Sequence, residues 1–437
     1  MTRLTPFAIL VCALTVAGAT AVGQAQAPVA SVAIEHTTVI DVIDGTDRPD
    51  MTVLVAGDRI TAIGRDLAVP AGATRVNGRG RYLIPGLWDM HSHNQSTGEA
   101  SLPLYLANGV VGTRDMGGDA DVILPLRDRI NRGARPGPEI IAAGPILDDA
   151  PADWPLRRRV KTADDARQAV RDLKTAGVDL IKVHNYTPRD AFFAIIDEAT
   201  RAGLPVAGHI PLRVTPLEGV TSGMVSIEHF SESRLFWECP GSRGSYDPER
   251  CAPIFDAMAA RPLPQTVTGA FNEALPDVLS GQPMPHQAYA SPGVIELNRL
   301  NIAVARPDAR ILDILRRQNV ARKRATADLV ARGIPVLAGC DGWVPGFCLH
   351  DELQWLTSAG LSALQALQTA TINVARFLGR EASQGTVAVG QRADLVLLEA
   401  DPRTDIANTR RITDVVVRGR LVNAAARQRM LDGVRAR

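Results

Sequence analysis

From residue 162 onward the chain repeats one unit: a capped amphipathic segment, a glycine, then a short apolar strand that ends in a polar residue. In "TADDARQAVRDLKTAGVDLIKVHNY", Thr162 and Asp165 have the spacing of a capping box. Gly177 is placed to end the helix, and "VDLIKVH" follows as a buried strand. The unit returns in "TPRDAFFAIIDEATRAGLPVAGH", with Thr187 as cap, Pro188 at the first helical position and Gly203 as terminator. "TPLEGVTSGMVSIEH" is a shorter version, and "RKRATADLVARGIPVLAGCD" keeps the same order near the end. Apolar strands that alternate with helices pair in parallel, because the crossover helix returns the chain to the starting edge of the next strand. The fold class expected is α/β. The long middle has the length that an eight-unit (β/α)8 TIM-type barrel needs, roughly 250 residues. "GVVGTRDMG" and "PEIIAAGPI" read as its second and third strands.

The two ends follow a different grammar. "HTTVIDV", "TVLVAGDRITAIG" and "TRVNGRGRYLI" before the barrel, and "GTVAVGQRADLVLLEA" and "RITDVVVRGRLV" after it, alternate β-branched and polar residues between glycine turns. Residues 26–84 and 381–437 are therefore expected to form one small β-sandwich around a barrel over 85–380. Residues 231–320, proline-rich and irregular, read as an insertion that shapes the substrate site, with the seventh strand near "LPQTVTG".

The first residues have the form of a targeting segment: Arg3, the apolar run "FAILVCALTVAGATAV", then small residues. A signal peptide over residues 1–25, cleaved after Ala25, implies export to a periplasmic or extracellular space. The run falls short of the roughly 20 residues that span a bilayer, so no stable membrane anchor is expected after processing. Lysine and arginine total 48 against 47 acids, which gives no support to a nucleic-acid partner. In an oxidising compartment, Cys239 with Cys251 and Cys340 with Cys348 are spaced to close two short loops.

Chemistry-bearing residues gather where a barrel keeps its active site, at the ends of the expected strands. His91 and His93 end the first, Lys182 and His184 the fourth, His209 the fifth, His229 the sixth and Asp341 the eighth. Alternation puts Asp89, His91 and His93 on one face. Taken singly, each has a plain alternative as a satisfied core histidine, a snorkelling lysine or a turn aspartate. Asp89 is either a partner of a ligand histidine or a core carboxylate. His184 and Tyr186 are placed to touch substrate or to pack under the insertion. Arg114 suits either a substrate carboxylate or a salt bridge to a nearby acid. His350 is a further substrate-side candidate or only the start of the next helix.

Taken together, "DMHSH", "IKVH", "AGH", "IEH" and "GCD" resemble the amidohydrolase superfamily over nearly the whole chain, and "IPGLWDMHSH" and "GQRADLVLLEADP" resemble its imidazolonepropionase-like and prolidase-like branch. The resemblance implies two divalent metal ions, zinc first. His91, His93 and Asp341 would hold one and His209 and His229 the other, bridged by Lys182 as a carbon-dioxide-derived carbamate. It also implies a metal-dependent hydrolase that cleaves a C–N bond of a dipeptide or N-acyl amino acid, with Asp341 as acid and base. The alternatives are a cyclic amidase and a barrel that binds metal and ligand without reacting. The expected partner is a small-molecule amide, and a homo-oligomer is compatible with the sequence. Cys340 departs from the threonine found there in many relatives.

Overall fold

The computed structural model describes residues 31–150, 156–230, 246–305 and 307–435. The expected signal peptide and Cys239 lie outside the described residues. Among the described residues, no helix is long and apolar enough to cross a membrane.

Both chain ends build one sheet. The N-terminal strands are β1 (Val32–Ile40), β2 (Asp47–Ala56), β3 (Arg59–Gly64), β4 (Thr74–Asn77) and β5 (Tyr82–Pro85). The C-terminal ones are β16 (Leu395–Leu398), β17 (Ile412–Val417) and β18 (Arg420–Val422). Their order is β18-β17-β16-β5-β1-β2-β3, with β4 also on β1, and the two ends meet where β5 pairs antiparallel with β16. The eight strands are hydrogen-bonded in one sheet that bends at β1. There the register shifts between Ile34 and Thr37, and His36 has φ 59°. Val32, Ile34, Val53, Leu83, Leu395 and Val416 pack in one buried cluster, so residues from both ends share a core.

Between the ends run the parallel strands β6 (Leu87–Ser92), β7 (Val110–Asp115), β8 (Glu139–Ala142), β9 (Ile146–Asp148), β10 (Arg157–Arg159), β11 (Ile181–Val183), β12 (Val206–Gly208), β13 (Ser226–Glu228), β14 (Gln265–Thr266) and β15 (Val336–Leu337). The expected third strand is divided. Its first half, β8, pairs with β7, while β9, four residues on, pairs with β11. The last strand returns to the first through two backbone bonds, Met90 N–H to the Ala338 carbonyl at 2.9 Å and Asp341 N–H to the His91 carbonyl at 2.8 Å. This is the α/β barrel expected, with β14 as the seventh strand.

The helix signals act nearly as read. Thr162 and Asp165 exchange both bonds of the capping box, and Gly177 and Gly203 end their helices in left-handed conformation. Pro188, not Thr187, is the cap of Arg189–Ala202; the Thr187 hydroxyl instead donates to the Leu147 carbonyl at 3.0 Å. Residues 246–305, the first described part of the expected insertion, are more regular than their prolines suggest. They carry helices Pro248–Ala260, Gly269–Leu279 and Pro292–Ala305, with Pro253 and Pro276 inside the first two.

One glycine sets strand spacing at the future site. A Cβ on Gly208, which has φ +132°, would stand 2.2 Å from the Val183 carbonyl oxygen and 3.1 Å from the Lys182 side chain. Gly208→Ala therefore has to push β12 away from β11. A loss of more than about 2 kcal/mol is expected, read as a lowered thermal unfolding midpoint; an unchanged midpoint would show that the strands yield freely.

Candidate metal centre

Strand ends deliver six side chains to one floor. His91 is the fifth residue of β6, with His93 just beyond it; Lys182 is central in β11. His209 and His229 directly follow β12 and β13, and Asp341 follows β15 by four residues. His91, Lys182 and His209 are each 1% exposed. The Asp341 carboxylate lies 3.4 Å from His93 Nε2, 3.9 Å from His91 Nε2 and 3.7 Å from His229 Nε2. One donor atom each from His91, His93 and Asp341 falls within 4.8 Å of the others. His209 extends the cluster, its ring 5.0 Å from that of His229. The backbone at His229 and Asp341 is left-handed, φ 56° and 53°. Non-glycine residues adopt that conformation at a cost of about 1–3 kcal/mol, and it is met most often at functional sites.

Each of the four rings has its Nδ1 occupied. His91 Nδ1 meets Glu228 Oε2 at 2.8 Å and His93 Nδ1 meets the Gly117 carbonyl at 3.2 Å. His209 Nδ1 meets Asn185 Oδ1 at 2.9 Å, and His229 Nδ1 meets Thr268 Oγ1 at 2.6 Å. The Thr268 hydroxyl donates to the Val267 carbonyl, so it accepts from His229. Carbonyl and carboxylate oxygens accept only. Nδ1 therefore carries the proton on these rings, and Nε2 keeps its lone pair toward the floor. Burial lowers the proton affinity of His91 to about 4, helped by the Lys182 charge, and takes His209 and His229 well below their ordinary value. His93 goes the other way: burial opposes its charged form, but the Asp341 carboxylate 3.4 Å from its Nε2 raises its proton affinity. The neutral imidazoles of His91, His209 and His229 beside an ionised carboxylate are donors of the kind that a divalent ion needs. Burial alone would raise the Asp341 carboxyl, but His91, His93 and His229 hold it below the usual carboxylate range.

Beneath the floor lies a buried charge that the sequence reading missed. Glu228 accepts from Arg114 Nη2 through both oxygens, at 2.8 and 3.0 Å, and from Ser226 Oγ at 2.7 Å. Arg114 also donates to the Met90 carbonyl, Ser226 Oγ and Thr266 Oγ1. It is 1% exposed and does not line the cavity, so of the two uses expected for Arg114 the structure has the salt bridge, with Glu228 as its acid, and not the substrate-side one. Asp89 is likewise a backbone brace. Its Oδ1 accepts from His91 N–H at 3.1 Å and Cys340 N–H at 2.9 Å, touching no ligand ring. Burial pushes its carboxyl up to about 7.

The remaining candidates divide. His184 lines the cavity, its ring 4.1 Å from that of His209. Tyr186, 51% exposed, lies outside it. His350 is buried away from the site between Thr409 Oγ1 and the Asn108 carbonyl, which excludes it from substrate contact. Cys340 and Cys348 form a disulfide that staples the loop carrying Asp341, so neither offers a free thiolate. Cys251 is buried, and its expected partner is outside the described residues.

A cavity of about 290 Å3 opens above the floor. A larger cleft of about 690 Å3 lies at the opposite ends of β14 and β15 and has no histidine, cysteine or acid among its described lining residues. Among the described residues, the clustered histidines lie at the C-terminal face of the strands, where barrels of this type carry their sites.

Comparison with known proteins agrees with this geometry. Residues 294–422 match the Amidohydrolase family. Adenine deaminase 2 of Rhizobium meliloti (strain 1021) is 26% identical over 88% of this chain, which spans 56% of that protein's length. Imidazolonepropionase of Rubrobacter xylanophilus is 26% identical over 80% of this chain and 84% of its own. A candidate prolidase from Bifidobacterium longum has the same fold, with a TM-score of 0.72 and 23% identity over 93% of this chain and 99% of its own. The chain is thus similar to the Amidohydrolase family in the sequence of residues 294–422, and to amidohydrolase-type enzymes in its fold.

Proposed function

We propose that the protein is a binuclear metal-dependent hydrolase that cleaves the C–N bond of an amide, with a dipeptide or N-acyl amino acid as substrate. The observation that carries this reading is the set of four histidines, each with Nδ1 occupied, around Asp341 and the buried Lys182. His91, His93 and Asp341 would hold one ion, and His209 and His229 the other. The donors are nitrogen and oxygen, which suits zinc. Lys182 stands where its charge depresses the proton affinity of His91, His209 and His229. Addition of its neutral amine to carbon dioxide, with loss of one proton, would replace that cation by a carbamate able to give one oxygen to each ion. Two such ions supply Lewis acidity, lowering the pKa of water and polarising an amide carbonyl. Asp341, kept ionised by the histidines around it, would take a proton at its carboxylate and return it to the leaving nitrogen.

The likeness to a candidate prolidase supports a linear peptide bond. A second reading, ring opening of a cyclic amide, is favoured by the imidazolonepropionase relative. The apolar N-terminal segment is proposed to direct export, and the Cys340–Cys348 bond suits an oxidising compartment.

A panel of dipeptides, N-acyl amino acids, lactams and lactones, run on metal-analysed protein, separates the readings. Linear amides give two products and ring opening gives one of increased mass; turnover of lactones alone would overturn amide hydrolysis. Lys182→Ala is expected to lose bound metal and at least about 10³-fold in kcat/KM. Two retained ions with full activity would remove Lys182 from the centre. Glu228→Gln keeps the shape but weakens the hold on His91, and should loosen metal binding by about 10- to 100-fold, measured by competition with a chromophoric chelator. Unaltered metal affinity in a folded Glu228→Gln protein would make Glu228 purely structural.

A further inference from the structure

The wall of the cavity differs sharply from its floor. Above the metal-binding set, the described lining consists of Ile146, Phe271, Val294, Leu297 and Trp343, with only the neutral polar groups of Ser96, Thr97, His184 and Asn298 among them. Among the described lining residues, Lys182 is the sole lysine or arginine and Asp341 the sole acid, and both belong to the floor.

Phe271 and Trp343 pair at 4.7 Å between ring centroids. Both are tied to the reacting end, since Trp343 is two residues beyond Asp341 and Phe271 three beyond Thr268, the partner of His229. The facing wall is the helix Pro292–Ala305, on which Val294, Leu297 and Asn298 follow at i, i+3 and i+4 and so present one face. Val294 anchors the helix in a buried cluster with Val278 and Met284, against which Trp343 packs. Leu297 is 50% exposed although it lines the cavity, so a large apolar side chain is left without a protein partner over much of its surface.

Among the described lining residues the wall offers a charged substrate group no counter-charge, whereas an apolar group there would gain about 0.8 kcal/mol per buried methylene. We infer that the cavity takes a substrate bearing a bulky apolar or aromatic side group, seated between the Phe271–Trp343 pair and Leu297. This inference rests on the metal-centre reading and narrows its substrate class.

The test uses two hydroxamic acids, which chelate divalent ions through the same head group but differ in their tails. Calorimetric titration of the metal-loaded full chain should find 3-phenylpropionohydroxamic acid at least about tenfold tighter than acetohydroxamic acid. In Leu297→Asp that preference should fall below about threefold. Leu300→Asp, on an exposed residue of the same helix that does not line the cavity, should leave the preference as in the wild type. A wild-type preference near one, or one that Leu297→Asp leaves intact, overturns the apolar subsite while the metal centre stands. If neither hydroxamate binds, the metal-centre reading fails and takes this inference with it.

Discussion

The Arg114–Glu228 ion pair, sealed inside the barrel, is the interaction on which the site depends. Arg114 starts from β7 and reaches the Met90 carbonyl on β6, Ser226 and Glu228 on β13 and Thr266 on β14. One side chain thus ties four strands that are remote in sequence. The guanidinium also lies 5.3 Å from the Phe377 ring centroid, so its remaining face meets an aromatic surface. A buried pair gains little over an apolar replacement, but removing one partner leaves an uncompensated charge and costs about 3–5 kcal/mol. That asymmetry makes the pair a device for specificity of arrangement more than for gross stability.

What the pair arranges is the first ring of the floor. The Glu228 carboxylate, kept well below the usual range by Arg114 and His91 against the opposing effect of burial, accepts from His91 Nδ1 and so orients its Nε2. The next residue, His229, enters the floor with a left-handed backbone. The last residue of β13 and the one after it therefore serve the site in two ways, Glu228 by orienting a ring from across the barrel and His229 by contributing a ring. Asp89 does the same for the backbone, joining His91 and Cys340 so that the first and last strands meet in register beneath Asp341.

Much of this was legible in the sequence, for a local reason. Strand periodicity, capping pairs such as Thr162 with Asp165, and terminating glycines act over a few residues, and the candidate ligands fall at the ends of the units those signals define. What escaped was non-local. Glu228 and His91 are 137 residues apart, and nothing near Arg114 announces that its acid lies across the barrel. A signal existed in "SIEH", where a glutamate falls in an expected buried strand directly before a candidate ligand. The helices between Pro248 and Ala305 escaped because a proline-rich stretch was read as irregular. Pro248 and Pro292 stand in first turns, where the missing N–H costs nothing, and Pro253 and Pro276 are tolerated inside helices packed on the barrel.

The floor and the wall are therefore built under different constraints. Each floor histidine stands at or just beyond a strand end and is held at Nδ1 by a partner, so a change there propagates into the interior. The wall helix Pro292–Ala305 is anchored by Val294 packed with Val278 and Met284, with Ile302 against the same cluster, while its Leu297 stays half exposed. The Cys340–Cys348 bond closes a short loop between the two regions, holding Asp341 while the residues beyond it turn toward the wall. Chain-entropy reasoning gives such a loop about 2–3 kcal/mol of stabilisation. A barrel organised in this way can exchange the side chains of its wall, and with them the group it accepts, without disturbing the ligand geometry that the buried Arg114–Glu228 pair enforces.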